Sequence, residues 1–362
     1  MFRVGIIGAT GMVGQRYISL LKEHPWFEVT CVAASAQSAG VPYAQSVKGR
    51  WHMTEPIPEK VGELVVVDAN GVEQITRACD FVFCSFELSD KEKVKQLEEN
   101  YASAGLPVIS SASAHRSTPD VPMLLPEINS DHTKMIDTQR KKRGWSRGFI
   151  AVKPNCSIQS FLTPVYALRK AGYKIDRLSV VTMQAVSGAG YPGVPSLDMV
   201  DNIVPFIGGE EEKTEKEPLK IFGSIKKGSF VLANDLKITA QCNRVPVSDG
   251  HTACVSISFE GKKTTKKKIL SIWKSFASVP QKLDLPTAPK QAIIFLDEDN
   301  RPQPKKDRDS EHGMAVSVGR LRECPLFDFK FVGLSHNTIR GAAGGGILNA
   351  ELLVKQGYIT KK

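Results

Sequence analysis

The first fourteen residues constrain the fold more than any other part of the chain. They read "MFRVGIIGATGMVG", a short β-branched run that leads through evenly spaced glycines into an amphipathic stretch. Glycines at a strand-to-helix turn permit a tight bend and let the helix N-terminus approach a pyrophosphate closely. The turn therefore predicts a dinucleotide site, and we expect its contacts to come from one local set: Gly8, Thr10, Gly11, Met12, Val13 and Gly14.

Strand-like and helix-like runs continue to alternate over residues 1–155. "FEVTCVAAS", "CDFVFCSF" and "LPVISS" are strand-like, whereas "DKEKVKQLEENYASAG" has the spacing of a surface helix. Strands that alternate with helices favour a parallel sheet covered by helices. We therefore expect residues 1–155 to form a Rossmann-type domain.

The sequence pattern changes after residue 155. "DRLSVVTMQAV", "KITAQCNRVPV", "HTACVSISF" and "DFKFVGLS" are strand-like runs that alternate in polarity, with helical stretches among them. This pattern favours a largely antiparallel sheet with helices on one face. The predicted fold class is α/β, with the Rossmann-type parallel-sheet domain followed by an α+β domain over residues 156–337. The last stretch, 338–362, is helical again, and we expect it to complete the first domain.

Composition argues against several classes of function. The net charge of +10 comes largely from runs such as "RKKRGWSR" and "KKTTKKK", which lie beside helix-like stretches and are typical of solvated faces. Aromatic residues are few and no RNA-binding or helix-turn-helix signature is present, so we expect no nucleic-acid partner. The opening apolar run lacks the pattern of a secretory signal, and no window approaches eighteen uninterrupted apolar residues. The seven cysteines form no CxxC pair. We therefore expect a cytoplasmic protein with neither a membrane partner nor a metal site.

The end of the second strand indicates which dinucleotide binds. An Asp or Glu there would accept a hydrogen bond from a free ribose 2′-hydroxyl and repel a 2′-phosphate. "CVAASAQSAG" has no acid and offers the neutral donors Ser35, Gln37 and Ser38. We therefore predict NADP rather than NAD, although ordinary loop polarity would explain the same residues. Ser85, in "CDFVFCSF", is also expected to lie in the cofactor site.

One cysteine stands where a nucleophile is expected. In "VKPNCSI", Cys156 follows an apparent strand and precedes an apolar-periodic run. The unpaired N–H groups and the dipole at a helix start favour the thiolate, which is the nucleophilic form. Asn155 could cap this helix or donate to an oxyanion. The alternative is a buried structural cysteine.

A basic and an imidazole side chain lie at the two ends of a predicted turn between strands. "CNRVPVSDGHTACVSISF" places Arg244 before the turn and His251 after it, an arrangement that could direct both into one cleft. An arginine can grip a carboxylate bidentately, and an imidazole can take a thiol proton. Taken alone, such a histidine is more often a surface or core residue than a catalytic one.

Six motifs together, in their order along the chain, resemble the aspartate-β-semialdehyde dehydrogenases, in the branch that includes fungal and archaeal enzymes. They are "GATGMVG", "PNCS", "QAVSGAGYPG", "GGEEEK", "CNRVPVSDGH" and "SHNTIRGAAGG". The resemblance implies that Cys156 is the nucleophile and His251 the general acid/base. It also implies a substrate site formed by Gln184, Arg244, Glu210, Lys213, Asn155 and Arg116. It implies cofactor contacts from Gly188, Gly190 and Asn337. The run of three glutamates leaves the register of the acid open by one residue.

The implied activity is reversible, NADPH-dependent reduction of L-4-aspartyl phosphate to L-aspartate 4-semialdehyde, with release of phosphate. The reaction would pass through a thioester on Cys156 and serve the biosynthesis of threonine, methionine and isoleucine. Because a large antiparallel sheet usually needs a covered face or edge, we expect a homodimer or homotetramer that pairs through the second domain.

Three alternative functions remain open. Another phosphorylating reductase, such as N-acetylglutamyl-phosphate reductase or a relative of glyceraldehyde-3-phosphate dehydrogenase, would share the glycine turn and the thiol. A cysteine hydrolase would use Cys156 and His251 without redox chemistry. A dinucleotide-sensing protein would have the fold without the activity.

Overall fold

The first part of the chain alternates strands and helices as expected. In this computed structural model, the structure describes residues 1–86 and 90–362. The elements before Cys156 are, in chain order, β1 Phe2–Ile7, α1 Met12–Leu21, β2 Phe27–Ala34, α2 Tyr43–Ser46, α3 Glu59–Gly62, β3 Val67–Asp68, α4 Val72–Ala78, β4 Phe81–Cys84, α5 Lys91–Ser103, β5 Pro107–Ser110, α6 Pro126–Asn129, α7 Met135–Arg143 and β6 Phe149–Val152.

These strands form a parallel sheet in the order β3-β2-β1-β4-β5-β6. Each residue of β4, β5 and β6 is buried, which explains their nearly continuous apolar sequences, since parallel sheets are covered on both faces. The strand order reverses beside β1, and ligands of such sheets bind where the chain leaves the carboxyl ends on either side of the reversal. The turn after β1 therefore lies beside the segment after β4. The predicted Rossmann-type domain is confirmed.

The second part of the chain supplies another sheet and its helices. Its elements are, in chain order, α8 Leu162–Lys170, β7 Lys174–Gln184, α9 Ser196–Met199, α10 Glu210–Ile221, β8 Ser224–Lys226, β9 Ser229–Val231, β10 Lys237–Arg244, β11 His251–Glu260, α11 Lys266–Lys274, α12 Val279–Lys282, β12 Ile293–Leu296, α13 Pro304–Asp307, β13 Val316–Glu323, β14 Phe329–Ser335 and α14 Gly344–Lys355.

The larger sheet of this part has the order β10-β7-β11-β14-β13-β12. Its central pairings are antiparallel, whereas β10 with β7 and β12 with β13 are parallel. The prediction of a largely antiparallel sheet is therefore confirmed, and two parallel pairings make the sheet a mixed one. Strands β10 and β11 follow one another in sequence but lie on either side of β7. Because Arg244 pairs with Gln184 and β11 begins at His251, these three residues lie at the same end of the sheet.

The C-terminal segment packs against the first sheet. A π-helical turn, Ile339–Ala343, leads directly into α14. Ile347 and Leu353 of α14 are buried in the same apolar cluster as Val4 and Phe81 of β1 and β4. This contact is consistent with the expectation that residues 338–362 complete the first domain, while the domain boundaries themselves stay a prediction.

Candidate active site

Both parts of the chain contribute to one cavity of about 340 Å³ around Cys156. Met12 and Val13 from the start of α1 line one side together with Ser85, which directly follows β4. The remaining predicted residues that line it are Asn155, Cys156, Arg116, Gly188, Gly190, Glu210, Lys213 and Asn337. Residues far apart in sequence therefore share one cavity, as the motifs together had indicated.

Cys156 and His251 form the central pair of this site. The Sγ of Cys156 lies 3.3 Å from Nε2 of His251. The backbone N–H of Ala185 donates to Nδ1 of the same ring at 3.0 Å. A ring nitrogen that accepts from an amide carries no proton, so the neutral imidazole holds its proton on Nε2 and points it at the sulfur. The geometry therefore sets His251 as a hydrogen-bond donor toward Cys156.

Burial governs the protonation of both side chains. Burial, followed by the charge of Arg244, lowers the pKa of His251 to about 3, so the imidazole is neutral at physiological pH. Burial, followed by the charge of Glu210, raises the pKa of Cys156 to about 11. Lys153, Arg116 and Arg244 act in the opposite direction.

The prediction that Cys156 lies at the start of an α-helix whose dipole favours the thiolate is wrong. Cys156 precedes a short 3-10 turn, Ser157–Ser160, and α8 begins only at Leu162. A single turn carries little dipole at its end. Burial therefore favours the protonated thiol, and the positive charges of Lys153, Arg116 and Arg244 act against it.

Glu210 is the hydrogen-bond centre of the predicted substrate site. Its Oε2 accepts from the Asn155 side chain at 2.8 Å and from Gln184 at 3.4 Å, and its Oε1 accepts from Lys213 at 2.9 Å. Although burial alone would raise it, these partners lower the pKa of Glu210, so the carboxylate is ionised. Asn155 also caps locally, because its Oδ1 accepts from the N–H of Ser157.

The structure decides the register of the three consecutive glutamates. Glu210 faces the cavity, whereas Glu211 accepts from the backbone N–H of Cys242 at 3.1 Å and Glu212 is exposed. Of the three, Glu210 is therefore the one that lines the cavity around Cys156.

The same face of α10 also holds Arg116. Glu217, two turns after Glu210, accepts from Nη1 of Arg116 at 3.1 Å and from the backbone N–H of Asn155 at 2.6 Å. Residues three, four and seven apart share one helix face, which explains how α10 reaches both ends of the site. Arg116 and Lys213 bring two positive charges to the cavity wall.

Arg244, Gln184 and His251 lie behind the cavity surface and are at most 6% exposed. Nη1 of Arg244 donates to the carbonyl of Ala185 at 2.7 Å. A Cβ on Gly188 would lie 2.9 Å from Nη1 of Arg244 and 3.0 Å from the His251 ring. Glycine at this position therefore lets the loop after β7 lie directly on these two side chains.

The glycine turn is fixed through its carbonyl groups. Tyr43 donates to the carbonyl of Ala9 at 2.8 Å, and Nε2 of Gln15 donates to that of Thr10 at 2.9 Å. A Cβ on Gly14 would lie only 2.2 Å from the carbonyl oxygen of Gly8, so this turn requires glycine there. The local geometry fits the close backbone approach that a pyrophosphate needs.

Ser35 and Ser38, the residues predicted to favour NADP over NAD, lie next to this turn but outside the cavity. The N–H groups of Gly8 and Ala9 donate to the carbonyl of Ala33 in β2, at 2.9 and 3.0 Å. The strand ends one residue later, and Ser35 is exposed while Ser38 is partly exposed. Both hydroxyls are therefore accessible to a ligand that extends along the turn.

Asn337 and Ser85 reach the cavity while bonded to the protein. The amide of Asn337 accepts from the N–H of Gly250 and donates to Ser187, each at 2.8 Å. Ser85 donates to the carbonyl of Ile7 at 3.1 Å. Asn337 thus joins two loops of the site, a role that the motif did not reveal.

Sequence reasoning missed part of the cavity wall. The further lining residues are Ser111, Ala112, Ser113, Ser187, Ala189, Thr338, Gly341 and Ala342. A signal for the first three was available in "PVISSAS", since small polar residues directly follow a strand next to β4 and the carboxyl ends of parallel strands meet at one sheet edge.

Among residues 1–86 and 90–362, no group of three or more His, Cys, Asp or Glu side chains could hold a metal ion. The helices described in those ranges include none long and apolar enough to span a membrane.

Comparison with known proteins finds a match to semialdehyde dehydrogenases in both halves of the chain. Residues 3–136 match the family model of the semialdehyde dehydrogenase NAD-binding domain, and residues 165–340 match that of the semialdehyde dehydrogenase dimerisation domain. The aspartate-semialdehyde dehydrogenase of Schizosaccharomyces pombe is 45% identical over 361 residues, which cover 99% of each chain. The chain belongs to the aspartate-semialdehyde dehydrogenase family. The resemblance seen in the sequence motifs is thereby confirmed.

Other aspartate-semialdehyde dehydrogenases extend this similarity. The one from Archaeoglobus fulgidus is 42% identical over 360 residues, 99% of each chain. A crystal structure of the aspartate semialdehyde dehydrogenase from Candida albicans with NADP is 40% identical and superimposes with a TM-score of 0.89, over 99% of this chain and 100% of that chain. The family's fungal and archaeal members are thus both close to this protein.

Proposed function

We propose that this protein is an NADP-dependent aspartate-semialdehyde dehydrogenase that interconverts L-4-aspartyl phosphate and L-aspartate 4-semialdehyde through a thioester on Cys156. The observation that carries the proposal is the Cys156–His251 pair, 3.3 Å apart, beside two cationic side chains and the glycine turn in one cavity. Family membership makes a dehydrogenase the first expectation, and the site contains a nucleophile, a proton donor and anion-binding groups for that reaction.

The first step needs a thiolate and a place for phosphate. In the proposed step, the thiol of Cys156 gives up its proton as its sulfur bonds to the acyl carbon, the carbon–oxygen bond to phosphate breaks, and the departing phosphate takes the bonding electron pair and that proton. Arg116 and Lys213 would hold the phosphate, since guanidinium and ammonium groups bind such oxygens well. Their present partners, Glu217 and Glu210, keep both side chains in position at the cavity wall.

The second step needs a donor for a developing oxyanion. NADPH, when bound, supplies the hydride that converts the thioester carbon into a hemithioacetal. The Nε2–H of His251 then donates a hydrogen bond to the oxygen on that carbon. It can do so because the N–H of Ala185 donates to Nδ1 and so keeps the proton of the ring on Nε2. Collapse breaks the carbon–sulfur bond, releases the aldehyde and restores the Cys156 thiolate. In reverse, phosphate cleaves the thioester.

Substrate recognition would use the remaining charged groups. Arg244 is proposed to bind the α-carboxylate, and Glu210 with Gln184 to face the α-amino group. Glu210 is ionised and already accepts from neutral amides, so it is suited to receive an ammonium group. An acylated amine carries no positive charge for this carboxylate to pair with, which argues for the free amino acid over N-acetylglutamyl phosphate.

NADP is proposed as the cofactor of this chain, held by the turn from Gly8 to Gly14, by Ser35 and Ser38, and by contacts from Ser85, Gly188 and Asn337. Support comes from the tight turn, in which a side chain on Gly14 would strike the Gly8 carbonyl, and from the neutral, accessible end of β2. The Candida albicans relative is a complex with NADP.

The proposed cofactor domain comprises residues 1–155 together with 338–362, and residues 156–337 form the catalytic and dimerisation domain. A homodimer or homotetramer is proposed, because the segment after β7 exposes several large apolar side chains: Tyr191, Leu197, Val200, Ile203 and Phe206. Several large apolar side chains exposed along one segment are typical of an interface. Cytoplasmic localisation and a role in aspartate-family amino-acid biosynthesis are part of the same proposal.

The decisive experiment follows the absorbance of NADPH with L-aspartate 4-semialdehyde, using NADP or NAD, with phosphate present or omitted. We expect phosphate-dependent formation of NADPH and a weaker reaction with NAD. Activity without phosphate would contradict cleavage of the thioester by phosphate. Activity only with N-acetylglutamate semialdehyde would transfer the protein to the alternative reductase.

A further inference from the structure

A second cavity, of about 360 Å³, adjoins the active-site cavity at Arg116 and Lys213. Both of these side chains line both cavities, and so does the small residue Ser113. The other residues that line the second cavity are Lys91, Ser117, Met123, Glu212, Lys216, Glu217, Lys220 and Leu232. The two cavities therefore meet at the two cations that the proposed reaction assigns to phosphate.

The lining of the second cavity is mainly basic, with five basic side chains against two acidic ones. The basic residues are Lys91, Arg116, Lys213, Lys216 and Lys220, and the acidic residues are Glu212 and Glu217. A cleft whose charges are mainly of one sign concentrates ions of the opposite sign and raises the rate at which they bind. The lining therefore favours a small anion over a neutral or cationic ligand.

Two of these charged side chains are engaged by the protein itself. Oε1 of Glu217 accepts from Arg116 at 3.1 Å, and Oε2 accepts from the backbone N–H of Asn155 at 2.6 Å. Nζ of Lys220 donates to three backbone carbonyls of the segment 116–121, at 2.9 to 3.2 Å. Three acceptors match the three N–H donors of an ammonium group. These bonds attach the segment that carries Arg116 to α10.

Lys91 and Lys216 differ from these engaged residues because both are exposed. Lys91 is the first residue of α5, and Lys216 lies in the middle of α10. Both line the second cavity, and neither lines the active-site cavity. An exposed lysine carries a hydrated point charge on a flexible stem, which suits it to attract an anion without holding it in one geometry.

The part of the active site that is proposed to hold NADP does not border the second cavity. Met12, Val13, Ser85 and Gly188 line the active-site cavity and are absent from the lining of the second one. In the oxidative direction, phosphate attacks a thioester that forms only after NADP and the semialdehyde have bound. A phosphate in the second cavity would reach Arg116 without passing the cofactor.

We propose that inorganic phosphate enters and leaves the active site through the second cavity, where Lys91 and Lys216 attract it before it reaches Arg116 and Lys213. The inference rests on the proposed function, because it takes phosphate as a substrate. In the biosynthetic direction, the phosphate released from aspartyl phosphate would leave by the same route. NADP and the semialdehyde would bind without help from Lys91 or Lys216.

The test measures initial rates of NADPH formation while phosphate is varied and ionic strength is held constant and low with potassium chloride. The variant carries both Lys91→Met and Lys216→Met, which remove two charges and keep the side-chain length. We expect kcat/KM for phosphate to fall about tenfold. At saturating phosphate, kcat/KM for the semialdehyde and for NADP should stay unchanged. An unchanged kcat/KM for phosphate would overturn the proposal.

Salt and a change of opposite sign sharpen this test. The difference between the variant and the unmodified protein should shrink at high salt, since exposed charges are screened beyond about 10 Å at 0.1 M salt. Glu212→Gln removes an exposed negative charge from the same lining, so it should raise kcat/KM for phosphate. A value that does not rise in Glu212→Gln would show that charge in this cavity does not govern phosphate entry, and would overturn the proposal.

The matched control carries Lys93→Met and Lys267→Met. Both lysines are exposed, on α5 and α11, and neither lines either cavity. This control loses the same net charge from the protein and should keep kcat/KM for phosphate. An equal fall in the control would assign the effect to the total charge of the protein and overturn the proposal.

A measurement without turnover separates this proposal from the proposed function. Lysines are acetylated with acetic anhydride, in potassium phosphate or in potassium chloride of equal ionic strength, and are identified by peptide mass spectrometry. We expect phosphate to slow acetylation of Lys91 and Lys216 about twofold or more and to leave Lys93 and Lys267 unaffected. No protection of Lys91 and Lys216, in protein whose turnover depends on phosphate, would overturn the entry route alone. Absence of phosphate-dependent turnover in the unmodified protein would overturn both the proposed function and the entry route, even where Lys91 and Lys216 are protected.

Discussion

Two parts of the candidate active site, here called the cysteine wall and the glycine wall, are built in opposite ways. The cysteine wall consists of Cys156, Gln184, Glu210, Arg244 and His251, which come from four separate elements and a loop. Hydrogen bonds join Cys156 to His251 and Gln184 to Glu210. The glycine wall consists of residues 8–14 with Ser35 and Ser38, and it presents mainly backbone. A changed side chain in the cysteine wall leaves buried groups unpaired, whereas the glycine wall is sensitive chiefly to added bulk and charge.

Removing the nucleophile should have the largest effect, and it should impair catalysis at the cysteine wall without impairing cofactor binding at the glycine wall. We expect Cys156→Ala to lower the rate of phosphate-dependent NADP reduction by about 10⁴-fold or more, because no thioester can form. NADP binding, measured by calorimetry, should be nearly unchanged. Cys254→Ala is the control, since Cys254 is exposed on β11 and should leave the rate unaltered. Residual turnover near that of the unmodified protein would exclude Cys156 as the nucleophile.

Changing the shape of a cation should have the next largest effect. Arg244→Lys keeps the charge but loses the planar fork that binds a carboxylate bidentately. We expect KM for aspartate semialdehyde to rise about tenfold to a hundredfold, with a smaller change in kcat. Arg177→Lys, at an exposed position on β7, should change neither constant. An unaltered KM in Arg244→Lys would show that this side chain does not bind the substrate.

A charge added to the glycine wall should have a more moderate effect. Ser35→Asp places a carboxylate at the end of β2, where it would repel a 2′-phosphate and accept from a 2′-hydroxyl. We expect the ratio of kcat/KM for NADP to that for NAD to fall about tenfold. Ser35→Asn, which is neutral and of similar size, should preserve the ratio. A ratio that does not change in Ser35→Asp would place the 2′-phosphate elsewhere.

The contrast between the walls also explains what could be predicted from the sequence. The glycine wall is local, because strand, turn and helix follow one another within fourteen residues, and its spacing is visible directly. The parallel sheet was predictable for the same reason, since fully buried strands such as Phe81–Cys84 have continuous apolar sequences. The mixed pairing of the second sheet was not, because β10 and β11 follow one another in sequence yet both pair with β7.

The cysteine wall required information that residue spacing does not contain. Motifs singled out Cys156, His251 and Arg244, but not the amide of Ala185 that fixes the imidazole tautomer. Burial also reversed the expected direction of the Cys156 pKa, because desolvation depends on the three-dimensional packing around the sulfur.

The smallest expected difference between the walls concerns stability in acid. His251 lies in the cysteine wall, and its pKa is lowered to about 3 by burial. Below its ordinary value, about 6.5, the unfolded chain binds a proton there that the folded protein does not. The free energy of unfolding should therefore fall as pH decreases from 6.5 toward 3, by about 1.4 kcal/mol per pH unit for this residue.

Urea unfolding between pH 6.5 and 4 measures this slope directly. His251→Gln should reduce the slope by the contribution of one proton without abolishing it, because burial also lowers the pKa values of His115, His132 and His336. Lys220→Met is the control: with a folded pKa of about 8, Lys220 is protonated in both states over this range, so its loss should lower stability without changing the slope. An unchanged slope in His251→Gln would mean that the imidazole is charged in the folded protein, and the donor role assigned to Nε2 would then have to be replaced by that of an imidazolium.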